Sequence, residues 1–456
     1  MFFEQIKTPG LGCFSYMIGC PLAGIMTVVD PRRDTDVYLR ASEENGMRIT
    51  HIFDTHVHAD HISGAQQLRD ETNADIYIHE SAPVIHEAKK VREGDEFTFG
   101  NAFIRILHTP GHTPNSISLL IFDLARSPEP EMILTGDLLF VGDTGRPDLP
   151  GKEILDEQIE NLYNSLYKKL GQLPGHLEVY PAHGQGSLCG QGMSAKQSST
   201  LGYERLANNM LKCSGFKEFK RAVLSNLPAR PQSFSGIIQA NIDEVPILSK
   251  CGSVEYALSA GEVDEFRKTG TVLDLRDGLS FSAAHIPGSI HVDASAGTML
   301  NWIGTVIAPV TPIILILPAH RGFEEMCLEL QRIGYDKVKG WLKGGVQGWL
   351  DSGRETQQLP HISASSLQTR LAKTNPPSMI DVRTQKEIEQ TKIEGSVSMP
   401  FDRILEQKSC PHPLEETVVV CQSGYRASIA ASLLQAKGCA NISVLSGGMN
   451  AWNRLK

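Results

Sequence analysis

Thr55-His-Val-His-Ala-Asp-His61 stands directly after the apolar run Ile49–Phe53. Three further motifs take the same place behind short apolar runs: Pro110-Gly-His112, Thr135-Gly-Asp137 and Pro181-Ala-His183. The runs Met47–Phe53, Phe103–Leu107, Ser116–Phe122, Met132–Leu134 and Leu177–Tyr180 each predict a buried strand. Every candidate ligand therefore falls just past a strand end, where loops converge on one point. The Gly and Pro beside each one suit tight turns and close backbone approach. Unrelated surface histidines would not keep this placement four times over. Imidazole and carboxylate together suit Zn, Fe or Mn.

The chain around these motifs is long enough for about three domains. Hydrophobic residues make up 41% and charged residues 21% of its 456 positions, a globular balance. No apolar run approaches the roughly 18 residues that cross a bilayer, and Met1–Cys20 lacks the basic start and apolar stretch of a secretion signal. A net charge of −9 offers no basic stripe, which argues against nucleic acid as a partner. Nine cysteines, a low density and an odd count, argue against a disulfide scaffold and for a reducing compartment. Asn226–Gly252, with Pro228, Pro231 and Pro246, predicts a linker wrapped over a surface, and a second linker is expected near Gly353–His361.

Beyond the first linker the sequence repeats itself. Val272-Leu-Asp-Leu-Arg276 returns as Met379-Ile-Asp-Val-Arg383, and Ile286-Pro-Gly-Ser289 as Ile393-Glu-Gly-Ser396, both at an offset of 107. Gly344-Gly-Val-Gln-Gly-Trp349 returns as Gly447-Gly-Met-Asn-Ala-Trp452 at 103. A period near 105 suits a pair of small domains rather than a solenoid. Strand-like runs alternating with amphipathic stretches such as Ser428–Lys437 predict parallel sheets flanked by helices.

In the second repeat, Val418-Val-Val-Cys-Gln-Ser-Gly-Tyr-Arg426 joins a strand to a helical stretch. Cys421 would face loop N–H groups and the positive end of that helix, a cradle able to hold a thiolate or its persulfide. Gln422, Ser423, Gly424 and Tyr425 line the loop, and Arg426 closes it and adds charge. Aligned on the closing Gly-Gly motif, Cys421 falls opposite Pro318, so the first repeat lacks the thiol and is expected to be inactive as a sulfurtransferase. Cys327 and Cys189 are expected to be buried and apolar. Cys213, in a loop-like stretch, is expected to be a surface thiol, with a sulfur-relay role as the alternative.

The four histidine and aspartate motifs resemble the metallo-β-lactamase superfamily, which implies an αββα sandwich with metal at one edge. In its dizinc hydrolases, such as glyoxalase II, the matches to His56, His58, Asp60, His61, His112, Asp137 and His183 bind two Zn. In its persulfide dioxygenases a single Fe(II) is held by the matches to His56, His112 and Asp137, and His58, Asp60, His61 and His183 form a hydrogen-bonding shell. All seven residues are present, so the ligands leave both readings open. Asp137–Asp148 and His183-Gly-Gln-Gly-Ser-Leu-Cys189 resemble the dioxygenases, in which Arg146 and Asp148 lie on the substrate side. Arg146 would meet an anionic substrate group or pair with Asp148.

The Cys-x-x-Gly-x-Arg loop, tighter than that of Cys-loop phosphatases, resembles rhodaneses. Together the order resembles bacterial persulfide dioxygenase–pseudorhodanese–rhodanese fusions. The resemblance implies an α/β protein with a metallo-β-lactamase-like domain over 1–245, a rhodanese-like domain without its cysteine over 250–355, and an active rhodanese domain over 360–456. It implies one Fe(II) per chain, and small-molecule persulfides, O2 and sulfite as partners. Sulfite made at the iron would meet a persulfide on Cys421 and leave as thiosulfate. A cytoplasmic dimer or tetramer without membrane attachment is expected, and the carrier thiol stays open. The alternatives are a dizinc thioester hydrolase with a rhodanese tail, and a non-catalytic persulfide carrier or sensor.

Overall fold

A computed structural model describes residues 1–190, 192–225, 227, 230–248, 256–407, 409–410 and 415–455. The chain divides into two compact units, Met1–Ser249 with Glu329–Gly334, and Lys250–Leu328 with Tyr335–Lys456.

In the first unit the five apolar runs all become strands, Arg48–Phe53, Ala102–His108, Ile117–Asp123, Met132–Gly136 and Glu178–Pro181. They belong to two six-stranded sheets. One runs in chain order through Phe2–Lys7, Phe14–Cys20, Ile25–Val29, Arg48–Phe53, Asp75–His79 and Lys89–Val91. The other runs Ser199–Thr200, Glu178–Pro181, Met132–Gly136, Ile117–Asp123, Ala102–His108 and Glu96–Phe99. Phe14, Tyr16, Ile18, Val29 and Phe53 from the first sheet meet Ile104, Ile106, Ile117, Leu119 and Ile121 from the second in one buried layer. On the outer faces, Tyr38, Ala41 and Leu68 of helices Asp36–Glu44 and Ala65–Thr72 cover the first sheet. Ile159, Leu162, Phe219 and Val223 of helices Leu155–Tyr163 and Phe216–Ser225 cover the second. The result is an αββα sandwich. Central strands such as Phe14–Cys20 and Ile117–Asp123 are buried at every residue because both faces are covered.

The proline-marked linker differs from expectation. Pro228 lies outside the described residues, but Ser233–Ile242 is a helix that buries Phe234, Ile237 and Asn241. Those three recur at helical spacing, and Pro231 and Pro246 stand outside its ends, where proline punctuates a helix without breaking it.

The second unit holds two five-stranded sheets with every recorded pairing parallel. Their order is Ala257–Leu258, Val338–Leu342, Ile313–Ile316, Thr271–Asp274, Ile290–His291, and then His361–Ile362, Ile442–Leu445, Thr417–Val420, Ser378–Asp381, Val397–Ser398. Strand register corrects the alignment of the two repeats. Asp274 pairs with Ile316, and Asp381 pairs with Val420. Leu317, not Pro318, therefore stands opposite Cys421. The slip arises at a bulge where partners of Ile313 and Ile314 step from Val338 to Gly340, an extra residue that the second repeat lacks.

The helix Tyr425–Ala436 is buried continuously from Ala427 to Leu434 rather than amphipathic. It packs between its own sheet and the preceding repeat, where His291 N donates to Ser432 Oγ (3.0 Å) and Ser428 Oγ bonds His291 Nδ1 (3.1 Å).

Cysteine count also misleads. Cys410 and Cys439 form a disulfide, 29 residues apart in sequence with Cα atoms 5.2 Å apart. Folding brings them together through the Cys410 N–H to Lys437 carbonyl bond. Cys327, buried in helix Phe323–Arg332, is disulfide-bonded too, so cysteine density alone does not fix the redox compartment. Among the described residues no helix is long and apolar enough to cross a membrane.

Trp349 of the first closing motif is 1% exposed, and its indole N–H donates to the Glu355 carbonyl at 2.8 Å. Trp349→Ala is expected to destabilise this unit by about 3–5 kcal/mol in chemical denaturation, the range for emptying an aromatic core site.

Candidate metal centre and cysteine loop

His56, His112 and Asp137 come together at one edge of the sandwich. One donor atom from each lies within 4.8 Å of the others, and all three residues are buried. His56 Nε2, His112 Nε2 and Asp137 Oδ2 have no hydrogen-bond partner among the described residues. Buried polar atoms are rarely left this way. Three orphaned donors on one point fit a single divalent ion.

Neighbouring groups aim these atoms. Thr55 Oγ1 donates to Asp30 Oδ2 (2.8 Å) and so accepts from His56 Nδ1 (3.0 Å), which leaves the His56 Nε2 lone pair free. His112 Nδ1 donates to the Arg146 carbonyl (2.8 Å), with the same effect. Such outer bonds fix both tautomer and ring orientation. Burial pushes the imidazoles of His56 and His112 down, which keeps them neutral as ligands must be. Burial alone would raise the Asp137 carboxyl, but His183, His112 and His56 pull it below the usual range. Gly145 permits the tight wrap here, since a Cβ would meet the Asp137 carbonyl at 1.8 Å.

The other four expected residues bond one another and neighbouring carboxylates, and Asp60, His61 and His183 form with Cys13 a second buried group whose ligand atoms lie within 4.8 Å of one another. His183 Nδ1 bonds Asp137 Oδ1 at 2.5 Å, and its Nε2 bonds Asp60 Oδ2 at 2.7 Å. Burial opposes charge on this ring, yet Asp137 and Asp60 raise it well above the usual imidazole value. Asp60 Oδ1 also takes His61 Nδ1 at 3.0 Å. His58 Nε2 turns to Asp30 (3.2 Å) and Asp54 (3.8 Å); burial lowers it, but these carboxylates carry it to about 9. His58 Nδ1 is unpaired, but the ring groups with Asp30 and Asp54 rather than with His56, His112 and Asp137.

Arg146 pairs with Asp148, one of its two expected partners. Its Nε and Nη2 form a paired bond to Asp148 (2.7 and 2.8 Å), Nη1 reaches the Leu188 carbonyl (3.4 Å), and the side chain is buried. Arg146 and Asp148 thus pin the segment whose carbonyl orients His112. Cys189 is buried, with Asp137 and His183 close by. Cys213 lies half-buried, its Sγ 3.8 Å from the Asn209 carbonyl, and belongs to none of the metal-type clusters.

Three participants escaped the sequence. Asp30, at a strand end like the ligands, braces Thr55 and His58. Cys13 Sγ lies 3.2 Å from Asp60 Oδ2, and burial, then Asp60, push its thiol up to about 12. Asn241 donates to the His58 and His61 carbonyls (2.9 and 2.8 Å) and accepts from Ser63 N (2.9 Å). Beside the ligands, Val57, Thr113, Asn115, Leu149 and Ile238 line a cavity of about 400 Å³ with Arg230 among its walls.

In the second unit Cys421 begins directly after the strand Thr417–Val420 and is fully buried. Its Sγ accepts from the Gly424 N–H at 3.1 Å, at the start of the twelve-residue helix Tyr425–Ala436. Backbone bonds from Met449 and Asn450 to the Cys421 and Gln422 carbonyls fix the loop. They require Gly448, where a Cβ would meet the Cys421 carbonyl at 2.2 Å. Gln422 also bonds Asn450, while Ser423 stays exposed. The Arg426 guanidinium grips both Glu387 oxygens (2.9 and 2.5 Å). Glu387 is set by a capping box with Thr384, a Thr-x-x-Glu signal present in the sequence. The first repeat has Ser280 in the place of Glu387, so it lacks both thiol and clamp.

Comparison with known proteins agrees with this geometry. The model of the metallo-beta-lactamase superfamily matches residues 9–183, and that of the rhodanese-like domain matches 259–352 and 363–455. A crystal structure titled metallo-beta-lactamase from Staphylococcus aureus subsp. aureus COL is 31% identical, with a TM-score of 0.68, covering 75% of this chain and 98% of that one. The chain belongs to the metallo-β-lactamase superfamily and carries two rhodanese-like domains behind that fold. More particularly, 245 residues are 28% identical to the persulfide dioxygenase ETHE1, mitochondrial, of Bos taurus, 53% of this chain and 88% of that protein. The Homo sapiens protein of that name matches at the same identity and coverage. A hydroxyacylglutathione hydrolase of Nitrosococcus oceani is 31% identical over 193 residues, 40% of this chain and 66% of that protein.

Two outcomes follow. Thr55→Val, which removes the hydroxyl that orients His56, is expected to weaken metal retention about 10- to 100-fold in a chelator competition, as for other outer partners of ligands. Glu387 is pulled down to about 2, chiefly by the Arg426 hydrogen bond. Its folded value lies below the unfolded one, so its contribution is present above about pH 4.3 and lost as pH falls further. Glu387→Gln should therefore remove part of the acid dependence of unfolding between those values, read from fluorescence-monitored acid titration.

Proposed function

We propose that this chain is an Fe(II) persulfide dioxygenase joined to a sulfurtransferase. The observation that carries the reading is the division of labour at Asp137: Oδ2 is orphaned beside His56 and His112, while Oδ1 is held by His183 at 2.5 Å. Two zinc ions would draw on Asp60 and His183 as ligands, and those two would have to give up their hydrogen bond. A single ion would be held by His56, His112 and Asp137 alone, a two-imidazole, one-carboxylate set suited to Fe(II). Similarity to persulfide dioxygenases over the first half supports the same choice.

When bound, Fe(II) supplies the site where a persulfide sulfur and O2 meet and exchange electrons. The chain's residues do the rest. Buried neutral imidazoles and a buried carboxylate hold the ion, and the His183–Asp60 pair fixes the free oxygen of Asp137. The apolar cavity beside Val57 and Thr113 receives the carrier arm of the persulfide, with Arg230 for an anionic end. The net change is RSSH + O2 + H2O to RSH, sulfite and two protons. At Cys421 the thiolate attacks the outer sulfur of a second RSSH, releasing RSH and leaving Cys–S–S⁻. Sulfite then takes that sulfur, forming thiosulfate and regenerating the thiolate. The Gly424 N–H and the helix N-terminus stabilise the anionic sulfur. Tethering both sites raises the local concentration of sulfite at its consumer. The first repeat, with Leu317 opposite Cys421, takes no part in sulfur transfer by this route.

His112→Ala is expected to abolish persulfide-dependent O2 uptake. Cys421→Ser should leave that uptake within about twofold and turn the product from thiosulfate to sulfite, which ion chromatography separates. Turnover of a glutathione thioester under argon would contradict the reading.

A further inference from the structure

The repeat without a thiol touches the loop that has one. Trp302, on the helix Met299–Val306, packs against Phe401 with ring centroids 4.7 Å apart, and meets the Tyr425 ring edge-on at 6.4 Å. The Tyr425 hydroxyl is buried without a well-formed hydrogen bond, and Thr298, at the start of the same helix, faces it. Tyr425 belongs to the Cys421 loop and opens the helix behind it. Below this contact, His291 bonds Ser428 and Ser432 of that helix, and Gln435 Nε2 donates to the Gln358 carbonyl at 2.9 Å.

We propose that Trp302 is a positioning residue for the sulfurtransferase entrance, holding Tyr425 and Phe401 so that a persulfide presents its outer sulfur to Cys421. This rests on the sulfurtransferase reading above. The thiolate cradle is fixed from within its own repeat, by Gly424 N–H, the Met449 and Asn450 backbone bonds, and the Arg426–Glu387 clamp. The neighbour reaches the loop itself through the Trp302 contacts with Phe401 and Tyr425, while its His291 bonds lie further along the helix. Loss of Trp302 should therefore act on persulfide capture and spare the chemistry at sulfur. The repeat without a thiol becomes a wall of its partner's site, which accounts for a buried seam that a spacer would not need.

The test uses the full chain, a low-molecular-weight persulfide as donor and added sulfite as acceptor, with thiosulfate as readout. Trp302→Ala is expected to raise the donor KM about tenfold while kcat stays within twofold, and Trp302→Phe to restore KM to within about threefold of the parent. O2 uptake at the metal centre should be unchanged in both. A general loss of structure would instead lower kcat and melting temperature together in Trp302→Ala, and that result counts against the proposal, as does a Phe variant as impaired as Ala. An unchanged KM in Trp302→Ala, with Cys421→Ser inactive in thiosulfate formation, overturns the role of Trp302 alone. A Cys421→Ser chain that still makes thiosulfate overturns the sulfurtransferase reading itself, and this role with it.

Discussion

Asp137 has two carboxylate oxygens, and His183 takes one of them. That hydrogen bond, continued to Asp60 on the far side of the ring, decides how the metal edge is organised. With both ring nitrogens bonded to carboxylates, His183 ties Asp137 to Asp60. Asp60 then turns its other oxygen to His61, and His58 finds its own partners in Asp30 and Asp54. What remains unpaired at the centre is one atom each from His56, His112 and Asp137. In a low-dielectric interior, unpaired polar atoms are costly, and a bound cation is the partner that relieves all three at once.

The fold serves this arrangement by bringing strand ends to one edge. The layer between the two sheets packs large aliphatic and aromatic side chains, which leaves the loops beyond the strands to carry polar residues. Helix Ser233–Ile242 then ties the ligand loop from outside through Asn241. In the second unit the same logic is split between repeats. One carries the thiol and the Glu387–Arg426 clamp, whereas the other has Leu317, Ser280 and Gly322 in those places and the same sheet order.

Much of this was legible in the sequence because it depends on local signals. Strand positions followed from apolar runs, the two-repeat organisation from recurring Asp-x-Arg and Gly-Gly motifs, and the convergence of the four histidine and aspartate motifs from their places after strands. What escaped depends on partners distant in sequence. Asn241 reaches the metal loop from 180 residues away, inside a segment that its prolines disguised. That His183 would bond Asp137 and Asp60 at once is set by the fold, and spacing does not encode it. The pairing of Arg146 with Asp148 was one of two partners the sequence offered. The correspondence of Leu317 with Cys421 needed the bulge at Gly340, which a motif alignment absorbs without trace.

The most direct measurement is metal content and stoichiometry of chain purified without oxygen. A centre built on His56, His112 and Asp137 predicts one iron per chain, retained when His61 is replaced by glutamine and lost in His112→Ala. Two zinc ions per chain, with occupancy depending on His61 as much as on His112, would contradict it.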